Sequence, residues 1–178
     1  MSNISESITS NIDKPASGNS KMLLSNIKHD FTNPINAILG YAELIIDYLQ
    51  EGANDQLIAD VNKIHESGLL LFENINTYFT KNIGGRHKYI RDLINISEIQ
   101  FVIRTPISSI LGLTELLRED AGNNTSSYRK DINESLEKIY TAAKLLIIQI
   151  SELKKYSNST VEEFLKHYKS DLYLNESS

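Results

Sequence analysis

Leu24, Ile27, Phe31, Ile35, Ile38, Ala42, Ile45 and Leu49 recur every three or four positions, the period of one buried face of an α-helix. The spacing predicts a first helix from about Ser20 to Gln50, ending at 51–54, where Gly52 can take the left-handed cap conformation. Leu57, Ile58, Val61, Ile64, Leu71 and Ile75 predict a second helix, capped by Asp55 and ending near Phe79. A loop this short makes the two an antiparallel hairpin spanning 20–79. Residues 80–92 break the pattern, and Gly84 and Gly85 mark a linker.

The pattern then repeats. Residues 105–117 echo 33–45 at a constant offset of 72, Pro34 to Pro106. Residues 138–146 echo 63–71 at an offset of 75, Lys63 to Lys138, so the second hairpin, over 93–157, has the longer loop. Two copies of one supersecondary unit bury each other's apolar faces. The expected fold is all-α: an antiparallel four-helix bundle made of two helical hairpins in one chain, occupying 20–157. Residues 1–19, rich in Ser and Asn, read as a flexible tail. In 158–178, Thr160 and Glu163 form a capping box for a short C-terminal helix whose apolar side is Val161, Phe164, Tyr168 and Leu172. A monomer acting as a pseudo-dimer is expected, with domain swapping as the alternative.

Composition narrows the function. The 178 residues are 40% hydrophobic, enough for a real core, and the net charge of -5 argues against nucleic-acid binding. Cysteine is absent, which removes thiol chemistry and disulfides. No apolar run reaches the length of a membrane span, and the N-terminus lacks a signal-peptide pattern, so a cytoplasmic protein is expected. Four scattered histidines, His29, His65, His87 and His167, show no metal-ligand spacing. Gly84 and Gly85 lack the ending of a phosphate loop.

One histidine stands apart. At roughly 100° per residue, His29 lies about 200° from both Ile27 and Phe31 and so points outward with Ser25 and Asn33. Pro34, inside the helix, lacks the N–H that the Asp30 carbonyl would accept, and a kink beside His29 is expected. The run His29, Asp30, Phe31, Thr32, Asn33, Pro34, followed by Ala-Ile-Leu-Gly-Tyr-Ala-Glu-Leu at 37–44, resembles the phosphoacceptor motif of sensor histidine kinases. In that family the motif lies in the helical hairpin domain that dimerises and carries the phosphorylated histidine. The resemblance implies His29 as phosphoacceptor and Asp30 as the acid that orients the imidazole and serves as general base. It makes Asn33 a candidate for positioning a water that dephosphorylates a response regulator, with Thr32 a weaker candidate. Pro34 and Pro106 are expected to be structural.

The second repeat lacks this chemistry. Phe101 stands opposite His29, Val102 opposite Asp30 and Thr105 opposite Asn33. A phenyl ring accepts no phosphoryl group, so the second site is degenerate. An outward Phe101 is expected to be covered by the chain's own C-terminal helix or N-terminal tail, with a docking spot as the alternative. About twenty residues follow the second hairpin, too few for an ATP-binding domain, so no autonomous kinase activity and no cofactor are expected. The resemblance implies a histidine phosphotransfer protein whose partner is a response-regulator receiver domain, with Mg2+ on that partner, and a separate histidine kinase as a further candidate partner. Two other readings stay open: a noncatalytic hairpin mimic that sequesters a regulator or inhibits a kinase, and a regulator phosphatase using Asn33.

Overall fold

The computed structural model describes residues 16–49, 55–81, 89–121 and 127–167, and the described residues form helices and turns without a strand. Four long helices, α1 (Ala16–Leu49), α2 (Asp55–Lys81), α4 (Ile96–Ala121) and α5 (Ser127–Lys155), are joined by a short turn of helix, α3 (Ile90–Leu93), and by α6 over residues 161–167. The all-α fold expected from the periodicity is what the chain adopts.

All eight residues of the predicted α1 stripe are buried, at 5% exposure or less, because they line the one face that meets the other helices. Val61, Ile64, Leu71 and Ile75 do the same for α2, whereas Leu57 and Ile58 are half-buried near its start. Each long helix packs on two others: α1 on α2 and α5, and α4 on α2 and α5. The ring order is therefore α1, α2, α4, α5, with α1 diagonal to α4. Neighbours run antiparallel. Glu43 meets His65 while Phe31 meets Phe79 across α1 and α2, and Ser67 meets Ser109 while Asn74 meets Val102 across α2 and α4. Gly68 lets α2 approach α1 closely, since a Cβ there would lie 2.8 Å from Leu39 Cδ2.

One end of the bundle is closed by segments the periodicity did not resolve. Residues 90–93, expected as the end of the linker (to 92) and the first residue of the second hairpin, form α3, which buries Ile90 and Leu93. Tyr89 pairs with Thr160 in an isolated antiparallel bridge, and the Ile90 and Arg91 amides donate to the carbonyls of Ser159 and Ser157. Asn95 then starts α4: its Oδ1 accepts the Glu98 N–H at 3.2 Å, while its own N–H donates to the Tyr78 hydroxyl at 2.7 Å. The predicted capping box forms reciprocally, the Thr160 N–H donating to Glu163 Oε2 at 2.8 Å and the Glu163 N–H to Thr160 Oγ1 at 3.2 Å. Behind it Val161 and Phe164 are buried, with Phe164 edge-on to Tyr156. Tyr168 and Leu172, expected on the same side, lie outside the described residues, as do Gly52, Gly84, Gly85 and His87.

Helix boundaries differ from expectation by a turn or less. Helix α1 begins at Ala16 rather than Ser20, α2 extends two residues past Phe79, and Asp55 is the first helical residue of α2. Helix α1 is continuous through Pro34, and α4 through Pro106.

Candidate functional site

His29 projects from α1 above a well-packed turn. Beneath it Phe31 is buried edge-on against Phe79, ring centroids 6.0 Å apart, and Phe79 stacks likewise on Tyr78. Burying Phe31 on the inner face forces residue 29 to the outer one, and the His29 side chain is 72% exposed. The outward orientation expected from the stripe is the one found.

Two side chains approach the same ring nitrogen. Asn33 Nδ2 lies 3.3 Å from His29 Nδ1, one helical turn along, and Asp30 Oδ1 lies 3.8 Å from it. The second distance is too long for a hydrogen bond and counts as an electrostatic contact. Asp30 is largely covered, and burial pushes its carboxyl above the usual range, an effect that the neighbouring His29 partly offsets. The two neighbours favour opposite tautomers. An amide N–H from Asn33 needs the Nδ1 lone pair and leaves the proton on Nε2; a carboxylate at Nδ1 needs the proton there and leaves the Nε2 lone pair to attack. Both contacts are made at Nδ1.

Thr32 is not part of this group. Its Oγ1 donates to the His29 carbonyl at 2.9 Å, a bond within its own helix turn. Pro34 is buried, as is Pro106 in the second repeat. His65 is half-buried on α2 and pairs with Glu43 of α1 at 3.0 Å, a cross-helix clamp. His167 is exposed, with Nδ1 3.0 Å from the Glu163 carbonyl oxygen. Among the described residues no cluster of three His, Cys, Asp or Glu gathers, and no helix is long and apolar enough to cross a membrane.

On the second face the C-terminal helix does not supply the cover expected for Phe101, and residues 1–15 of the N-terminal tail lie outside the described residues. Phe101 is 79% exposed, so no described part of the chain covers it; α6 packs instead on Tyr156 at the end of the bundle. Thr105 is also exposed, while Val102 is half-buried against the core. Phe101 stands on the rim of a groove of 470 Å3 between α4 and α5, lined also by Gln100, Arg104, Ile107, Ile147 and Ile150. The apolar side chains Leu145 and Ile148 are exposed on α5.

Comparison with protein-family models, with curated proteins and with solved structures finds no significant match for this chain. The described residues form an all-α helical bundle in which the exposed His29 has a half-buried carboxyl, Asp30, and a carboxamide, Asn33, near its Nδ1.

Proposed function

We propose that the chain is a histidine phosphotransfer protein of a two-component relay, carrying a phosphoryl group on His29 to or from a receiver-domain aspartate in the cytoplasm. The observation that carries this reading is the exposed imidazole whose Nδ1 lies near both Asp30 and Asn33. Its support in the sequence is the resemblance of the 29–34 run to the phosphoacceptor motif.

The proposed reaction uses the Nδ1–H tautomer, the one that Asp30 favours. The Nε2 lone pair attacks the phosphorus of an aspartyl phosphate, the P–N bond forms as the acyl P–O bond breaks, and the receiver carboxylate leaves. The Nδ1 proton stays on the ring, and Asp30 stabilises the resulting positive charge. Positioning supplies most of the catalysis on this side, with the receiver bringing Mg2+ and its acidic pocket.

A second reading has its own observation. The exposed Phe101 above an apolar groove fits a surface that holds a partner without chemistry, as a hairpin mimic would. One experiment separates them. The purified chain is incubated with a phosphorylated receiver or a phosphorylated kinase and analysed by intact mass. The relay reading expects one acid-labile phosphoryl group, none with ATP and magnesium alone, and none on His29→Ala of unchanged helicity. Tight receiver binding with no label on the unmodified chain would establish the mimic, and label on His29→Ala would displace the site.

A further inference from the structure

The two repeats place matching polar groups opposite their prolines. Pro106 has no N–H for the Val102 carbonyl one turn back, and Asn74 of α2 supplies the missing donor, Nδ2 to Val102 O at 2.8 Å. The repeat offsets carry this pair onto the other half of the molecule. Val102 maps onto Asp30 at the offset of 72, ahead of Pro34, and Asn74 maps onto Gln149 at the offset of 75. The packing agrees, since α2 on α4 becomes α5 on α1, and both pairs are neighbours in the ring.

Other polar contacts of the α2 and α4 interface have not been kept. Ser67 and Ser109, hydrogen-bonded at 3.1 Å, map onto Ala142 and Ala37; Tyr78 and Asn95 map onto Leu153 and Leu23, both buried. Against that replacement by apolar pairs, a carboxamide persists at 149. Its Oε1 is buried with no hydrogen-bond partner, a costly placement in a helix interface. Half a turn about the last side-chain bond exchanges Oε1 for Nε2 and gives the buried position a donor, as at Asn74.

We propose that Gln149 is a positioning residue for the histidine site: its Nε2 donates to the backbone carbonyl of Asp30, one turn before Pro34, and so fixes the turn that aims Asp30 at His29 Nδ1. A carbonyl oxygen accepts from two donors, so this bond adds to the other interactions of Asp30. Helix α5 thereby contributes to a site whose other residues all lie on α1. The role concerns the aim of Asp30 and deepens the phosphotransfer reading.

The direct test is a scalar coupling between Gln149 Nε2 and the Asp30 carbonyl carbon in the isotope-labelled full-length chain, with slowed exchange of the Gln149 amide protons. Gln149→Met keeps the length of the side chain, adds no charge and lacks the donor. It should move the Asp30 carbonyl resonance and raise the share of the Nε2–H tautomer in the neutral His29 ring, because a less well aimed carboxylate holds the Nδ1 proton less well. The proposal is overturned if the unmodified chain shows no coupling, a result that needs no variant to fold. It is overturned equally if Gln149→Met leaves the His29 tautomer ratio, read from the ring nitrogen shifts, in place. Failure of the phosphotransfer reading looks different: the coupling and the tautomer shift are present, yet His29 takes no label.

Discussion

Ser67 donates to Ser109 at 3.1 Å across α2 and α4, and the repeat replaces both together, by Ala142 and Ala37. Both serines are half-buried, and Ala142 is buried. A hydroxyl pair and a methyl pair are alternative solutions to one packing problem. A single hydroxyl left without its partner is a poor one, because its desolvation is no longer offset.

Ser67→Ala or Ser109→Ala alone should therefore cost about 1 kcal/mol, while Ser67→Ala with Ser109→Ala should fall close to the parent. Urea unfolding of the four chains measures the coupling. Additive losses would mean that the two hydroxyls do not depend on each other.

The core and the outward histidine were legible because both follow from a helical period. Eight apolar positions fixed the inner face of α1, and that face fixed where His29 points. The duplicated hairpin was legible from Pro34 and Pro106 at a fixed offset. Helix α3 and its bridge to Thr160 were not, since Ile90 and Leu93 are too few to show a period, and their partners are distant in sequence. The bond from Thr32 to its own helix turn was not legible, because a hydroxyl on a helix bonds back to that turn as readily as it faces a substrate. Cover over Phe101 by the C-terminal helix is absent among the described residues, because α6 finds its apolar contact at Tyr156 instead. Asn74 and Gln149 had a signal that went unread: two carboxamides at the same place in the repeat, each opposite a proline.

Asn74 and Pro106 should be energetically coupled. Asn74→Ala removes the donor to Val102 O and should cost about 1–3 kcal/mol. Pro106→Ala restores an N–H to the same carbonyl, so Asn74→Ala made on that background should cost less than half as much. A double-mutant cycle by chemical denaturation gives the coupling directly, and a cycle that closes to zero would mean that Asn74 does not serve this carbonyl.

Acid stability should show opposing contributions. Gln56 and then Lys63 hold the Asp60 carboxyl below the usual range, and the Thr160 N–H does the same for Glu163. For these two the unfolded chain binds protons more readily, so their stabilisation is complete above the ordinary carboxylate range and is lost as pH falls through the lowered values. Asp30 has the reverse sign. Its carboxyl is raised by burial, so the folded chain binds the proton more readily, and stability falls as pH climbs from the ordinary value through the raised one. In thermal melts, Asp60→Asn should be less stable than the parent at neutral pH, with the gap closing in acid. Asp30→Asn should be more stable at neutral pH, and that advantage too should close in acid. A constant gap across pH for either variant would rule out its assigned shift.

Asn33 gives the last test, because its amide and Asp30 compete for one nitrogen. With Nδ2 3.3 Å from His29 Nδ1, a donating amide holds the imidazole as the Nε2–H tautomer, whose Nε2 has no lone pair to give. Removing the amide in Asn33→Ala leaves Nδ1 to Asp30 and raises the share of the Nδ1–H tautomer, which is the nucleophilic one at Nε2. An exposed hydrogen bond of this kind is worth about 0.5 kcal/mol, so the gain is roughly twofold in the reactive tautomer. Nitrogen chemical shifts of the His29 ring, recorded at a pH where it is neutral, report the ratio without any partner present. Labelling of Asn33→Ala by a phosphorylated receiver should then be as fast as the parent or faster. Asn33 as a water-positioning residue makes a different demand: the same variant should lose hydrolysis of the receiver's phosphoryl group while its tautomer ratio stays put. A ring that shifts toward Nδ1–H together with unslowed labelling assigns Asn33 to tautomer control. An unmoved ring with lost hydrolysis assigns it to the phosphatase reaction instead.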